Sequence, residues 1–294
     1  MKKITVTAPA SATIINAIST GHGSAYAINL HLKATAKLTP PQQDKPITCN
    51  TDTPLDTTLM KTCIKNTLKH YQIKKLDQTI NITTTSKIPL ASGLSSSSAS
   101  SNAITLATAT LLAEEYQLPP LTDTEILNIA IKSSLESQVT ITGSYDDATA
   151  SYYGGLTITN NTTQKIIQHH HIKEETILIH TPPQKSYSAK VNTQEIKKLK
   201  PLIEIAYKKA LNKDYYNAIK LNGLVHSTIL GFNNQITIDA LSQGAKTAGL
   251  SGTGSSTIAI PTTDNIDTIK EKWQQYPGTI TTTKTTNTGT KIIN

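Results

Sequence analysis

A proline-led, glycine-containing turn that opens into a serine-rich helix start is the feature that most constrains this chain. The stretch reads Pro89-Leu90-Ala91-Ser92-Gly93-Leu94-Ser95-Ser96-Ser97-Ser98-Ala99 and continues into an apolar periodic segment that reaches Ala113. At a helix start several backbone N–H groups lack an intrahelical partner, and the helix dipole places partial positive charge there. Gly93 permits a positive φ and lets a ligand approach the backbone closely. The stretch therefore predicts an anion site, best suited to a polyphosphate.

A simpler interpretation of this stretch is a serine-rich helix cap, because serine is a favourable N-cap residue. One cap needs only one serine, however, and four serines follow Leu94 without interruption. Serine within a helix gains nothing in helix propensity, so the length of the run indicates a further role. The stretch is not a Walker A loop, because no Gly-Lys-Ser/Thr sequence closes it.

The charge of the chain favours anionic small molecules over nucleic acid as ligands. The 294 residues carry a formal net charge of +8, but the lysines are scattered, arginine is absent, and aromatic residues make up only 4%. Base stacking and bidentate guanine recognition therefore lack their usual side chains. With 37% hydrophobic and 16% charged residues, the composition is that of a globular protein with one large domain or two ordinary ones.

Two sequence features predict a cytoplasmic location. Cys49 and Cys63 are too few for a disulfide framework and lack metal-ligand spacing, which favours free thiols in a reducing compartment. No run approaches the roughly 18 apolar residues of a membrane span, and the start lacks the apolar core of a signal peptide. We therefore expect no membrane partner.

Hydrophobic periodicity places the serine run between a strand and a long helix. Strands are predicted at residues 4–8, 12–18, 28–36 and 76–84, with Pro9 separating the first two. A helix is predicted at 55–71, and the helix after the serine run is expected to end near Tyr116. Thr122 and Glu125 have the spacing of a capping box, which predicts a further helix over 125–137.

Three carboxylates that follow are candidates for chemistry. Glu136 stands at the far end of a predicted helix, where the dipole disfavours negative charge; it is either an exposed glutamate or a ligand turned toward Mg²⁺. Asp146 and Asp147 form either the apex of a turn or the N-terminus of a short helix over 148–153. In the second arrangement a carboxylate would stay ionised and could accept a proton from a substrate hydroxyl.

The serine-rich stretch resembles the ATP-binding motif of the GHMP kinases, a superfamily that includes galactokinase, homoserine kinase and mevalonate kinase. That motif reads roughly Pro-x-x-x-Gly-Leu-Gly/Ser-Ser-Ser, and Ser95 stands where most members have glycine. Two further stretches fall in the order that the superfamily has them, namely residues 140–155, which contain the aspartate pair and end in the pair Gly154-Gly155, and residues 250–254. Together they most resemble the archaeal-type shikimate kinases, over almost the whole chain.

The resemblance implies an α+β fold with a cleft between two domains. The implied N-terminal domain is of the ribosomal-protein-S5 second-domain type and covers residues 1–160, and a ferredoxin-like C-terminal domain covers residues 161–294. The implied activity is ATP-dependent phosphorylation of the 3-hydroxyl of shikimate, on the route to chorismate and the aromatic amino acids. ATP and Mg²⁺ are the implied cofactors, and shikimate is the implied small-molecule partner.

The same resemblance implies roles for individual residues. The stretch from Pro89 to Ala99 is assigned to ATP, and Mg²⁺ to Glu136 and Ser97, with Ser96 as the next candidate. Asp146 aligns with the aspartate of the family's Asp-Asn-Ala segment and is assigned to orient or deprotonate the substrate hydroxyl. Asp147 aligns with the asparagine of that segment, and a shift of one residue in the alignment exchanges the two roles. On the residues alone Gly21-His22-Gly23 is a tight turn. The residues that the resemblance assigns to the phosphoacceptor site are Gly21, His22, Gly23, Gly252, Thr253 and Gly254. Lysines and backbone amides are expected to attract the substrate carboxylate.

Three other functions share part of these features. A homoserine or mevalonate-type kinase would have the same phosphate site and a different acceptor pocket. A non-catalytic sensor of the same fold would bind its ligands without turnover, which the aspartate pair and Glu136 argue against. A basic nucleic-acid-binding protein is the third, and the missing arginines argue against it.

Overall fold

The computed structural model describes residues 2–42, 45–52, 56–184, 186 and 192–293, arranged around two β-sheets. The first part of the chain contains β1 (Lys3–Ile15), β2 (His22–Thr39), β3 (Ile47–Thr51), α1 (Thr58–His70), β4 (Thr79–Ser86), α2 (Ser96–Tyr116), α3 (Asp123–Glu136), α4 (Tyr145–Tyr153), β5 (Leu156–Asn160) and β6 (Lys165–His170). The second contains β7 (Thr176–Thr181), α5 (Thr193–Lys197), α6 (Lys200–Leu211), α7 (Tyr215–Leu230), α8 (Gln235–Ser242), β8 (Thr247–Leu250), β9 (Thr257–Ile260), α9 (Ile266–Trp273), β10 (Thr279–Lys284) and β11 (Lys291–Ile292).

The larger sheet has the order β11-β1-β2-β4-β3 among the described strands, and β5 pairs with both β2 and β6. Its neighbouring strands are antiparallel except β3 and β4, which are parallel. The predicted break at Pro9 is wrong, because β1 runs continuously through it. The register of β1 against β2 shifts between Pro9 and Ala10. A bulge is one of the few places where a strand tolerates a residue without an N–H, so proline marks an irregularity here rather than an end.

The smaller sheet has the order β10-β7-β9-β8, with each neighbouring pair antiparallel. Numbered from β7, this is the strand order 4-1-3-2 in a β-α-β-β-α-β sequence of elements, which is the ferredoxin-like arrangement. Helix α7 packs on β8, and α9 packs beside β7. The predicted ferredoxin-like second half is therefore confirmed.

The predicted domain boundary between residues 160 and 161 falls inside a hairpin of the larger sheet. Both strands of that hairpin belong to this sheet, because β5 pairs with β2 and β6 with β5. β11 also returns to it, where Ile292 pairs with Val6 of β1. A division by sheets therefore begins the second part at β7 and gives residues 165–170 and 291–292 to the first.

Helix α2 lies at the centre of the first part and is buried on nearly all sides. It packs on β1 and β2 with one side and contacts α1, α3 and α4 with the others. Its alanines, serines and threonines have small side chains, which let these neighbours approach closely. Such a helix has no polar face, as expected for one inside the core. The helix ends at Tyr116 as predicted, so the serine run is fixed at the start of a deeply packed element.

The remaining boundaries follow local signals. The capping box predicted before α3 is present: the Thr122 hydroxyl accepts from the Glu125 N–H, and the Glu125 carboxylate accepts from the Thr122 N–H. Helix α1 begins at Thr58, and Leu55, where it was predicted to start, lies outside the described residues. No described helix is both long enough and apolar enough to cross a membrane.

Candidate active site

A cleft of about 420 Å³ opens between the two halves of the chain, at the start of α2. Its walls are the 90–97 stretch, the connection between α3 and α4, the start of α4, and the loop between β8 and β9. Gly93 and Asp146 both line this cleft, so the serine-rich turn and the aspartate pair share one groove as the sequence predicted. Two of the three motif stretches, the serine-rich turn and the aspartate pair, thus line the same cleft. Residues 252 and 253 of the third stretch line it as well.

The residues of the serine-rich stretch divide between the cleft and the core. Those that line the cleft are Leu90, Ala91, Ser92, Gly93, Ser95, Ser96, Ser97 and, four residues into the helix, Ser100, which the sequence analysis missed. Leu94, Ser98 and Ala99 are buried in the core instead. Pro89 shapes the turn, because its carbonyl oxygen accepts a hydrogen bond of 2.9 Å from the Ser92 hydroxyl. The stretch is therefore both a binding surface and a packing element.

The backbone at the start of α2 has the form of an anion site. Ser95 takes the N-cap position with φ of 57°, and its side chain accepts no hydrogen bond from the helix start. The first backbone N–H groups of α2 are therefore not capped by Ser95 and can donate to an anion. A left-handed conformation is uncommon for serine and ordinary for glycine, which explains why glycine occurs at this position in the GHMP motif. Gly93, also with positive φ, packs directly on the backbone of Ser251 and Gly254, where a side chain would collide.

Ser251 of the β8–β9 loop connects the serine-rich turn to the first strand. Its hydroxyl donates to the carbonyl oxygen of Gly93 at 2.7 Å and accepts from the N–H of Thr13 at 3.1 Å. Backbone bonds add to this connection: Ser256 donates to the Ser92 carbonyl oxygen at 2.9 Å. The shape of the anion site therefore depends on contacts with the second half of the chain.

Asp147 faces the cleft from the first turn of α4. The Ser11 hydroxyl donates to its Oδ1 at 2.9 Å, and the Ser95 hydroxyl lies close enough to this carboxylate to lower its pKa. Burial, together with the neighbouring charge of Asp146, raises the pKa of Asp147 well above the ordinary carboxyl range, and the two serine hydroxyls offset part of this rise. A carboxylate with a raised pKa in a cleft is a stronger base than an exposed one and is typical of a functional site.

Asp146, although it borders the same cleft, is held from the side of the larger sheet. Its Oδ1 accepts a hydrogen bond of 2.7 Å from the Asn161 side chain, and its carboxyl group packs against Gly23 of β2. Its carbonyl oxygen accepts from the hydroxyls of Thr149 and Thr157, both at 3.1 Å. Burial raises the pKa of Asp146 as well. These contacts anchor the start of α4, and none of them leads to the serine-rich turn.

The predicted magnesium ligands are separated in the structure. Ser97 lines the cleft, but Glu136 does not. Glu136 ends α3 with its side chain 46% exposed, where Oε2 accepts from Asn66 of α1 at 2.7 Å and Oε1 lies 3.9 Å from Lys132. The assignment of Glu136 to the metal therefore needs correction in this structure, because the side chain turns toward α1 instead of the cleft. No group of three or more His, Cys, Asp or Glu side chains in the described part of the chain is arranged to hold a metal.

The predicted substrate residues are also only partly in the cleft. Gly252 and Thr253 line it, and Gly254 packs behind Gly93. Gly21, His22 and Gly23 do not line it, because His22 and Gly23 begin β2 and pair with Asn160 and Thr159 of β5. His22 stacks on Tyr207 of α6 with ring centroids 4.7 Å apart. The residues that reach the cleft from this region are Asn16, Ala17 and Ile18, which precede the predicted turn.

The charge of the cleft differs from the charge of the chain. Four aspartates line it (Asp52, Asp56, Asp146 and Asp147), and no lysine among the described residues does. The expectation that lysines hold a substrate carboxylate therefore has no support in the described part of the cleft. Backbone N–H groups, hydroxyls and a bound cation are the sources of positive potential that remain.

Three residues that shape the site were not assigned a role from the sequence. Ser11, Asn161 and Ser251 each contact a cleft residue from an element distant in sequence. Ser251 lies within the third motif stretch, residues 250–254, so it had a signal, whereas Ser11 lies on β1, outside the three motif stretches. Asn161 had none, since one asparagine after a strand is a common turn residue.

Comparisons with known proteins agree with this arrangement. A family model for the GHMP kinases N terminal domain matches residues 58–155, which include the serine-rich turn and the aspartate pair. The chain is 47% identical over 293 residues to a shikimate kinase of Methanobrevibacter smithii, covering 100% of both chains, and 40% identical to one of Methanothermobacter thermautotrophicus, covering 99% of this chain and 98% of that protein. Among solved structures, the mevalonate kinase of Methanococcus jannaschii superposes with a TM-score of 0.75 at 18% identity, over 97% of this chain and 98% of that one. At that identity the last comparison shows the fold alone.

Proposed function

The chain belongs to the shikimate kinases of the GHMP kinase superfamily, and from this premise we propose that its cleft transfers the γ-phosphate of ATP to the 3-hydroxyl of shikimate with Asp147 as the proton acceptor. The observation that carries the assignment of Asp147 is its contact with Ser95. The hydroxyl of Ser95, in the serine-rich turn, lies close enough to this carboxylate to lower its pKa, so a phosphate held by the turn would lie beside it. Asp146 has no such contact with the turn.

The phosphates of ATP bind at the start of α2. The orphan N–H groups there and the cleft-facing hydroxyls of Ser96 and Ser97 all present donors to an anion. Gly93 lets the chain turn without a side chain between the backbone and the phosphates. In phosphoryl transfer, positioning and charge neutralisation supply most of the rate, so this turn is the main catalytic element.

The adenine ring fits the apolar end of the cleft. Leu59 and Met60 of α1 line the cleft here, and Val139 and Ile141 of the α3–α4 connection line it as well. Apolar side chains suit the faces of a purine, and backbone groups at the edge supply the few hydrogen bonds that such sites use. This end lies on the first half of the chain, so the nucleotide would extend from α1 toward the start of α2.

Shikimate fits the end of the cleft that holds the aspartates. Thr13, Asn16 and Ile18 line it from the region of β1, and Gly252 and Thr253 line it from the β8–β9 loop. Hydroxyls and backbone N–H groups of these residues suit a polyhydroxylated ring. They also suit its carboxylate, given that no described lysine reaches the cleft. The acceptor would therefore contact both halves of the chain.

The transfer step uses Asp147 to orient the hydroxyl and take its proton. The 3-hydroxyl oxygen forms the new bond to the γ-phosphorus as the bond from that phosphorus to the β–γ bridging oxygen breaks, and ADP leaves with that electron pair. The hydroxyl proton moves to the Asp147 carboxylate. The hydrogen bond from Ser11 fixes the direction of this carboxylate. The nearby charge of Asp146 strengthens it as a base.

Magnesium fits the same cleft through oxygen donors. The Ser97 hydroxyl lines the cleft, and Mg²⁺ commonly takes a few protein oxygens together with phosphate oxygens and waters. Two adjacent aspartates, Asp146 buried and Asp147 half-buried, without a lysine among the described lining residues also favour a divalent cation. When bound, the ion would neutralise charge on the transferred phosphoryl group.

The unpaired thiols of Cys49 and Cys63 suit the reducing cytoplasm in which we place the enzyme.

A substrate panel tests the proposed acceptor. Purified protein with ATP and Mg²⁺ is assayed for ADP release with shikimate, homoserine or mevalonate, and the phosphorylated product is identified by ³¹P NMR. We expect turnover with shikimate alone and a single phosphate ester at the 3-oxygen. Turnover with homoserine or mevalonate in preference to shikimate would refute the proposal, as would an ester at another oxygen.

A further inference from the structure

The side-chain amide of Asn16 is fixed in one orientation at the acceptor end of the cleft. Asn16 directly follows β1, is 6% exposed and lines the cleft. Its Oδ1 accepts a hydrogen bond of 3.0 Å from the N–H of Ile18, which is the bond of an Asx turn. A backbone N–H can only donate, so the amide oxygen occupies this position and the NH₂ group takes the other.

The NH₂ group of Asn16 is the donor that this turn leaves for a ligand. It donates to no described residue, and it is not sealed from solvent. The backbone N–H groups nearby are already used within the protein. That of Thr13 donates to the Ser251 hydroxyl at 3.1 Å, and those of Asn16 and Ile18 each donate to an asparagine side chain. A ligand at this end of β1 therefore meets a side-chain amide.

A buried asparagine of α7 holds the turn from behind. The Oδ1 of Asn222 accepts from the N–H of Asn16 at 3.0 Å, and Asn222 is 1% exposed. The next residue, Gly223, packs so closely on Gly249 of β8 that a side chain there would collide with the backbone. Helix α7 is thus fixed against the smaller sheet, and the position of Asn16 is set by the second half of the chain.

The charges of the cleft decide which group of an acceptor lies at Asn16. The four aspartates that line the cleft repel an acid, and no described lysine attracts one there. The 3-hydroxyl lies at Asp147, which Ser11 of β1 contacts, so the far end of the ring extends along β1 toward Asn16. A hydrogen bond from an amide to a charged carboxylate is roughly twice as strong as one between neutral groups.

We propose that Asn16 is a specificity-determining residue, whose NH₂ group donates to the carboxylate of the acceptor. The assignment rests on the proposed function, because it takes shikimate as the acceptor and Asp147 as the group at its 3-hydroxyl. A neutral donor in a fixed direction recognises the acid in a cleft without a described lysine. It also leaves the charge of Asp147 unpaired by a cation from this wall.

Two substitutions remove the NH₂ group and keep an acceptor for the Ile18 N–H. Asn16→Asp puts a second oxygen in its place, and the hydroxyl of Asn16→Ser forms the equivalent turn. The Kd of shikimate is measured by calorimetric titration at saturating ADP. We expect Asn16→Ser to weaken shikimate about tenfold, because a bond to a charged group is lost. Asn16→Asp should weaken it about a hundredfold, since two like charges then face each other. The Kd of ADP should stay unchanged in both.

The methyl ester of shikimate tests which group of the acceptor Asn16 contacts. The ester is uncharged, so Asn16→Asp should weaken it by no more than about fivefold. Asn128→Asp and Asn128→Ser, at an exposed position of α3, are the matched controls and should change neither ligand. Thermal unfolding checks that each variant folds.

The outcomes separate the role of Asn16 from the proposed function. Equal losses of acid and ester, equal effects of the two Asn16 substitutions, or unchanged affinity would overturn the role of Asn16 while shikimate remains the acceptor. A wild-type chain that binds no shikimate, or that transfers phosphate to another acceptor instead, would refute the proposed function and the role of Asn16 with it.

Discussion

The hydroxyl of Ser11 donates a hydrogen bond of 2.9 Å to Oδ1 of Asp147, which ties the first strand to the first turn of α4. Neither residue stands near the other in sequence, and Ser11 is fully buried. The bond favours the ionised carboxylate, while burial opposes it. The strength and direction of the proposed base therefore depend on a strand that is distant from it in sequence.

Replacing Asp146 and Asp147 one at a time distinguishes the proposed proton acceptor, Asp147, from Asp146, which anchors the start of α4. We expect Asp147→Asn to lower kcat by about 10²-fold or more, because proton acceptance is lost, with the Kd of ATP nearly unchanged. Asp146→Asn should have the smaller effect on kcat, since it removes a neighbouring charge and alters the contact with Asn161. Single-turnover rates and nucleotide titrations measure both quantities. A greater loss for Asp146→Asn would exchange the assignments.

The pH dependence of kcat/KM tests the hydrogen bond from Ser11 to Asp147. The raised pKa of Asp147 predicts that kcat/KM falls as pH is lowered toward neutrality, well above the ordinary carboxyl range. Ser11→Ala removes a donor to the charged form, so the acidic limb should move to higher pH by about one unit. Ser24→Ala is the matched control, since this buried serine donates to the Thr157 carbonyl oxygen instead. Identical profiles for Ser11→Ala and wild type would contradict the role of this bond.

The same aspartate should lower stability in alkaline solution. Because its pKa is raised in the folded state, the folded chain holds this proton more strongly than the unfolded chain. The free energy of unfolding therefore falls as pH rises from the unfolded pKa near 4 through the raised value. Asp147→Asn should raise Tm at pH 8, by about 2–4 °C per kcal/mol relieved, and change it little at pH 4.5. Calorimetry of Asp77→Asn, an exposed loop position, is the control and should show no such pH-dependent difference.

Two serines of the β8–β9 loop provide a matched pair for the contact with Gly93. Ser251→Ala removes the donor to the Gly93 carbonyl oxygen, so we expect the KM of ATP to rise about fivefold as the turn loosens. Ser255 is equally buried in the same loop, and its hydroxyl has no partner among the described residues. Ser255→Ala should therefore leave the KM of ATP unchanged. Equal effects of the two substitutions would show that the loop acts only through packing.

Magnesium titrations test the separation of Ser97 from Glu136. Ser97→Ala should raise the Mg²⁺ concentration for half-maximal activity by about tenfold, because a ligand oxygen is lost. Glu136→Gln should leave it unchanged, since its carboxylate contacts Asn66 and Lys132 outside the cleft. A marked magnesium dependence for Glu136→Gln would mean that this side chain turns into the cleft when nucleotide binds.

The sequence predicted those parts of the site that depend on local chemistry. The helix start at the serine run, the capping box at Thr122 and the aspartates in the first turn of a short helix each follow from a few adjacent residues. Tertiary contacts decided the rest. Pro9 was expected to end a strand, but a bulge accommodates it, and this depends on the register of β2.

The candidate site residues that the structure places outside the cleft were also decided by tertiary contacts. Glu136 is two residues before Gln138, which lines the cleft. The packing of α1 against α3 nevertheless turns the Glu136 side chain toward Asn66. His22 and Gly23 form the beginning of β2 because β5 returns to pair with them, and Gly21 directly precedes the strand. Neither outcome follows from spacing, since each depends on a neighbour brought in by the fold.

Helix α2 presents Ser96 and Ser97 to the cleft while the next residues, Ser98 and Ala99, are buried among β1, β2 and α4. A larger residue that strengthened nucleotide contacts on this helix would thus also have to fit a tightly filled interior. Evolution, or an engineer, can therefore adjust ATP affinity more freely at the α3–α4 connection, where Ile141 lines the cleft and is 38% exposed. We expect the natural diversity of nucleotide affinity among such kinases to be encoded there.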